Sequence, residues 1–563
     1  MLEIRSKQIL GTLILIAVAA ITLVVAPYTL FDPMGLPKLV VLAFLAIVAL
    51  SLIAPALKNL FKSNYKTLAI LTSLFVFQIF LVMLFSGANI TAQILGTYQR
   101  QTGALTYISL ALFMLSASFV SDSDFVKRFI RITLIVGIIL IVYGNLQYFG
   151  LEPFPYTNSY TVNAPIGTFG NSNFQSAFMG IIGVVSFTMV LNKSYRNSIR
   201  AGLVLAGVTS LIVVYETLSK QGFLNFIAGL GAVIILWLFM TKRKSLALAA
   251  SGLGAIGAVI TFLGLINTGP LASVLYKGSL EARGYYWRAG IKMLTDHPFF
   301  GVGMDGFGNW YARARPSDYA SKNFFSWSSS AHNVFLDIGS SGGFILLAIY
   351  LAIFVLVIIS IIRIVKRSTG FDVYFAALVG AWVAYQAQAF ISINQIGLAI
   401  WAWVLSGLII GYEINTRVKE EDRSVPVKAK QQSKKVKSQA QPLSSGVVVS
   451  LFVGVLVGAI VAGPIYYSNS RFSAALNAND LSGIESAAYL KPQDEMRLFM
   501  LAGIYRNAEM NAKAIEVLRE STVTYPDSYN MWNLWTLIPT ATASDIAYAK
   551  AQLKRLDPFN PDL

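Results

Sequence analysis

Only two side chains in this 563-residue sequence have an ordinary pKa near neutrality, His297 and His332, so a general base working near pH 7 is sought first between them. His332 stands in Ser330-Ala-His-Asn-Val-Phe-Leu-Asp-Ile-Gly, where a Ser-rich stretch meets a long apolar run. A base there would face water at a membrane surface, with Asn333 beside it as a candidate substrate contact. A histidine that only hydrogen-bonds at a helix start fits the same residues equally well. His297, in Asp296-His-Pro-Phe-Phe-Gly, is followed by proline and reads as structural.

Around these histidines stand cations suited to phosphate: Lys220, Lys277, Arg283, Arg288, Arg313, Arg315 and Lys322. Arginine forks and lysine point charges bind phosphate oxygens, more strongly where water is partly excluded. Arg283 and Arg288 flank Tyr285, Tyr286 and Trp287, which with Trp310 could stack on sugar faces or form an interfacial aromatic belt. Lys220, in Thr217-Leu-Ser-Lys-Gln-Gly, could instead pair with Glu216 one turn earlier, a contact of about 0.3–0.5 kcal/mol when exposed. Arg313 and Arg315 are either anion contacts or solvated loop charges. No Asp-x-Asp pair or carboxylate cluster stands near them, so a divalent metal is not suggested. Glu281, Asp305 and Asp337 leave a carboxylate pair open. Gly301-Val-Gly-Met-Asp-Gly lacks the Lys-Ser/Thr of a phosphate loop and reads as a tight turn. With no cysteine, disulfides and thiolate metal sites are excluded.

The elements that position these residues are membrane helices. The chain is 55% hydrophobic and 13% charged, against roughly 25% charged in soluble domains. Apolar runs long enough to cross about 30 Å of hydrocarbon recur along it. They predict an all-α polytopic protein with about thirteen spans, near 8–29, 37–56, 67–86, 104–120, 129–149, 173–191, 200–218, 222–240, 245–266, 342–364, 373–391, 394–413 and 446–467. The first run lacks a clear cleavage site and is expected to be retained.

With the N-terminus inside, the cytoplasmic loops hold Lys58, Lys62, Lys66, Lys127, Arg128, Arg131, Lys193, Arg196, Arg200, Lys242–Lys244, Arg363, Lys366 and Arg367, in keeping with the positive-inside rule. The net charge of +17 is therefore a topology signal, and nucleic acid is not an expected partner. The large loop at about 267–331 falls outside, where its cations run against the rule and call for an anionic partner. Residues 1–413 form the core, 414–445 a basic cytoplasmic linker, and 446–467 a further span. The tail, 470–563, carries nine Lys or Arg and eleven Asp or Glu. Its prolines at 492, 526 and 558 recur at 34 and 32 residues, similar to tetratricopeptide helix pairs, with an unrelated small helical bundle as the alternative.

Three passages carry a resemblance: Gly167-Thr-Phe-Gly-Asn-Ser-Asn; Arg283-Gly-Tyr-Tyr-Trp-Arg followed by Asp296-His-Pro-Phe-Phe-Gly-Val-Gly; and Ala331-His-Asn-Val-Phe-Leu with Gly342-Gly343 beyond. In these the chain resembles the O-antigen ligase and polysaccharide polymerase family of bacterial membrane glycosyltransferases. The resemblance implies a GT-C-like helical fold in the cell membrane and transfer of a glycan from a polyprenyl (undecaprenyl) diphosphate to a glycan, lipid or protein hydroxyl outside it, with inversion and no cofactor. It matches His332 and Arg283 to the family's histidine and loop arginine. Lys220 stands where many members have arginine, which keeps the charge but loses the bidentate fork. The expected site is therefore His332, Arg283 and Lys220, with Arg288, Arg313, Arg315, Tyr286, Trp287 and Asn333 contacting substrate. Polymerisation, protein O-glycosylation, and a lipid-linked-glycan flippase remain the alternatives, and the tail is expected to bind a protein partner.

Overall fold

A chain whose backbone polar groups must be satisfied within lipid has helices as its economical solution. In the computed structural model, which describes residues 3–154, 164–276, 279–320, 327–424 and 444–563, no strand occurs among the described residues. Lys277, Lys322 and most of the basic linker lie outside them. The core runs α1 (Ile4–Leu23), α2 (Gly35–Leu60), α3 (Lys66–Phe85), the short α4 (Ile90–Leu95), α5 (Ala104–Val120) and α6 (Ser123–Tyr148). It continues through α7 (Ser172–Val190), α8 (Asn197–Glu216), α9 (Gln221–Met240) and α10 (Lys244–Leu265). The large loop folds into α11 (Ala272–Leu275), α12 (Ser279–Asp296), α13 (Phe307–Ala314) and α14 (Ser317–Ala320) before α15 (Val334–Arg367), α16 (Val373–Ala389) and α17 (Ile396–Ser424). After the linker come α18 (Ser445–Asn477) and the tail helices α19 (Leu481–Ala488), α20 (Glu495–Asn507), α21 (Asn511–Thr524), α22 (Tyr529–Thr536) and α23 (Ala543–Leu556).

Every expected span has a helix at its position. Among the described residues, ten helices are long and apolar enough to cross a bilayer. The other three are α5 and α16, of 17 residues each, and α6, whose first turns carry Asp124, Lys127 and Arg128. Successive crossings put the basic joins together at one end of the bundle. There Lys7 pairs with Asp122 at 3.2 Å, Arg367 with Glu413 at 3.4 Å, and Ser444 donates to Glu3 at 2.8 Å.

Burial follows packing depth rather than sequence. The apolar window of α17 is entirely enclosed, while α10 turns Leu253, Ile256 and Val259 outward, as expected of a helix facing lipid. Between these extremes, Thr22 at the end of α1 binds the core to the opposite end of the bundle. It accepts from Trp401 Nε1 at 2.8 Å, and its carbonyl accepts from Thr168 at 2.6 Å. Lys38, fully buried in the first turn of α2, spends its three donors on the last carbonyls of α1, Ile21, Thr22 and Val24, at 2.8–3.2 Å.

Helix α18 packs along α2, with Gly454 against Ser51 and Gly458 against Phe44. The tail helices enclose their own core of Leu498, Leu501, Tyr505, Leu518, Trp532 and Trp535, and this core reaches Phe31 and Ala92 of the membrane bundle. Arg497, buried among them, donates to the carbonyls of Ala487 and Leu490 at 2.7 and 3.0 Å and also to that of Pro492.

Candidate active site

The site is built on the broken start of α15. His332 holds a left-handed backbone (φ 53°), unusual outside glycine, and its N–H donates to Ser330 Oγ at 2.9 Å. Asn333 caps the helix: its Oδ1 accepts from Leu336 N at 3.1 Å and its Nδ2 donates to the Phe390 carbonyl at 2.9 Å. Asp337, one turn on, accepts from Ala331 N at 2.7 Å. The helix breaks at Gly343 (φ 76°), and the chain after Pro298 docks onto the break. Phe344 N donates to Pro298 O at 2.7 Å, and the N–H groups of Val302 and Gly303 donate to the carbonyls of Ser340 and Ser341 at 2.8 and 3.1 Å. A methyl on Gly343 would meet Pro298 O at 2.5 Å. Gly343→Ala is therefore expected to lower the yield of folded protein and, in what folds, to disorder the His332 turn; unchanged yield and unchanged protease resistance in detergent would count against this docking.

Around His332 the polar groups are cations. Its ring stacks on Tyr286 of α12 at 5.5 Å, and Tyr286 meets Tyr311 edge-on at 5.5 Å. Its Nδ1 is buried with no hydrogen-bond partner among the described residues, where an aromatic face rather than a carboxylate sets the imidazole plane. Burial, with Arg283 and Arg100 nearby, pushes the His332 pKa down to about 3. Arg283, buried on α12, makes no ion pair or hydrogen bond among the described residues, and burial lowers its pKa to about 10. Arg100 pairs with Asp305 at 3.2 Å and donates to the Ser329 carbonyl and to Thr102. Asp305 in turn accepts from Thr97 N at 2.7 Å and Thr102 Oγ1 at 2.9 Å, so the Gly301–Gly306 turn shapes the loop that carries Arg100.

His332 and Arg100 open onto a cavity of about 620 Å³ at the end of the bundle opposite the basic joins. Its wall also includes Asp32, Asn171 of the Gly167–Asn173 passage, Gln395 and, from α18, Ser473 and Asn477, whereas Arg283 and Lys220 do not line it. Lys220 lies exposed at the α8–α9 turn, clear of Glu216, with which it makes no ion pair among the described residues. Its neighbour Ser219 donates to Asn173 at 2.8 Å and accepts from Ser176 at 2.9 Å, which fastens this turn to the same passage.

Other expected contacts have different tasks. Asn333 uses both ends of its amide as a helix cap. Arg288 forms an exposed pair with Asp318 at 3.2 Å, and Trp287 packs on Phe390 at 6.1 Å with its buried N–H unpartnered. Arg313 lies over Trp310 at 3.8 Å and pairs with Asp527 at 3.2 Å. Arg315, 1% exposed, meets Asp557 at 2.9 Å. Neither lines the His332 cavity, and both hold the tail to the loop. His297 sits edge-on to Trp310 at 4.5 Å, a packing role. Arg100 and Asp305 were the residues sequence reasoning passed over as a pair. Arg100 could have been found by extending the search for outer cations to the stretch before α5.

A buried histidine and the Asp305-paired Arg100 at a cavity, with the buried Arg283 close to that histidine, mark the candidate site at one end of an all-α polytopic membrane bundle. Residues 205–351, which span the Lys220 turn, α12 and the His332 turn, match the family described as O-antigen ligase, which supports a role in membrane glycan transfer in general. Comparison with curated proteins finds no match.

Proposed function

We propose that the protein transfers a glycan from a polyprenyl diphosphate to an acceptor hydroxyl at the outer face of the cytoplasmic membrane. The observation that carries this reading is Arg283, a buried cation without a counter-charge among the described residues, next to a histidine held neutral. Burying a charge without a partner is costly, and a diphosphate supplies the missing anion. His332 takes the proton of the acceptor hydroxyl as its oxygen bonds to the anomeric carbon. The bond from that carbon to the phosphate oxygen breaks, and its electron pair leaves on the diphosphate. Arg283 and Arg100 stabilise that growing charge, and Lys220 holds its outer oxygens. The bundle end bearing the cavity and the tail faces outward, opposite the basic joins. The tail helices are taken as tetratricopeptide-like pairs.

The test follows lipid-linked glycan and glycosylated acceptor in cells carrying Arg283→Ala at wild-type protein levels. Transfer is expected to fall roughly 10²–10³-fold while lipid-linked glycan accumulates, and the wild-type product is expected with the anomeric configuration inverted. A retained configuration would rule out single displacement, and undiminished transfer would remove Arg283 from the reaction. The size distribution of the product separates block ligation from polymerisation.

A further inference from the structure

A second cavity, of about 380 Å³, lies between the membrane core and the tail. Its floor comes from the α3–α5 connection and α13, and its roof from the start of α20 and the α21–α22 turn. It shares two wall residues, Tyr98 and Ser329, with the His332 cavity, so the two are neighbours along one surface.

The chemistry of this wall differs from that of the first. Trp327, 46% exposed, offers an indole to the cavity while one side packs on Tyr529 of α22. Asn309 from α13 and Asn530 from α22 contribute side-chain amides that make no hydrogen bond among the described residues. Asp494, Glu495 and Asp527 add carboxylates, while the neighbouring cation Arg313 is already paired with Asp527 and laid on Trp310. An aromatic face beside amides and carboxylates suits a ligand with apolar C–H faces and many hydroxyls. Among the described residues an anion would meet carboxylates and no unpaired cation in this wall, whereas the His332 cavity carries Arg100. The volume is within the range of about 300–1,000 Å³ usual for small-molecule sites.

We infer that this cavity is a binding site for an uncharged saccharide, formed jointly by core and tail, which holds glycan units one step beyond the reacting sugar. The inference rests on the glycan-transfer reading for its place in the reaction. The tail thereby contributes to substrate recognition through Asn530 and the α20 start, and not only as a docked accessory.

The experiment titrates full-length protein in lipid nanodiscs with a ladder of neutral N-acetylated gluco-oligosaccharides of two to six units, reading tryptophan fluorescence and calorimetry, with oligogalacturonates as the anionic comparison. Saturable binding of the neutral ladder is expected, weakened at least tenfold in Trp327→Ala and in Asn309→Ala, partly restored in Trp327→Phe, and unchanged in His332→Ala. Oligogalacturonates are expected to bind at least tenfold more weakly than neutral chains of equal length. No binding of the neutral ladder, equal binding in Trp327→Ala and wild type, or preference for the anionic chains would each overturn the proposal. Because His332→Ala removes transfer but leaves this binding intact, failure here is distinguishable from failure of the transferase reading.

Discussion

His332→Ala is expected to reduce glycan transfer by roughly 10²–10⁴-fold, the usual contribution of a positioned general base, while the protein still reaches the membrane in normal amount. The imidazole rests on Tyr286 and carries no carboxylate bond, so its removal deletes a proton acceptor without orphaning a buried charge. The pH dependence sharpens the assignment. With its pKa held near 3 by burial and by the Arg283 and Arg100 charges, the free enzyme keeps a neutral base well below pH 6.5. The acid limb of kcat/KM is therefore expected far below the usual histidine range. A bound diphosphate offsets those cations and raises the proton affinity of His332, so the acid limb of kcat is expected at higher pH than that of kcat/KM. For stability the sign is opposite to that of a paired histidine: the unfolded chain takes up a proton near 6.5 and the folded one does not, so stability falls as pH drops from about 6.5 toward 3. Transfer by His332→Ala within twofold of wild type, in assays of lipid-linked glycan turnover, would end the base assignment.

Arg315→Ala is expected to release the tail from the loop. Its guanidinium and the Asp557 carboxylate are 1% and 6% exposed and 2.9 Å apart, and burial already pushes the Asp557 carboxyl above its ordinary range, against the pull of Arg315. Removing one partner of such a pair costs about 3–5 kcal/mol, because the other charge is left buried and alone. Limited proteolysis of membranes should then cut within 470–563 far faster than in wild type. The double variant Arg315→Met with Asp557→Leu should recover much of the protection, since an apolar pair of similar volume leaves no orphan charge. Equal protease resistance in Arg315→Ala and wild type would show that the tail is held by its other contacts, such as Phe31 against Phe472 and Asn89 with Thr524.

What was legible in the sequence is what lipid imposes locally. Span positions and the gathering of basic joins need only run length and charge, because no apolar run of that size has another solvent. His332 stood out because the sequence has only two histidines, and Arg283 because it is one of seven cations that the topology reading put on the outer side. Arg313 and Arg315 stayed open between anion contacts and solvated loop charges, because the carboxylates that pair with them, Asp527 and Asp557, belong to a domain more than two hundred residues away. Arg100 was missed for the same physical reason, its partner Asp305 lying beyond eight intervening α-helices of the fold. Asn333 carried a readable signal, since asparagine just before an apolar helical run is a preferred cap, but the histidine beside it drew the functional reading instead.

Helix α18 has 33 residues, about 50 Å at 1.5 Å per residue, whereas the hydrocarbon layer needs only about 30 Å. The surplus is the segment that brings Ser473 and Asn477 to the His332 cavity before the chain turns into α19. Shortening the protein at the linker would therefore confound two losses, removing the soluble domain and also unroofing the His332 chamber to water. The informative truncation ends after Asn477, leaving the chamber walled and stripping only what lies above it.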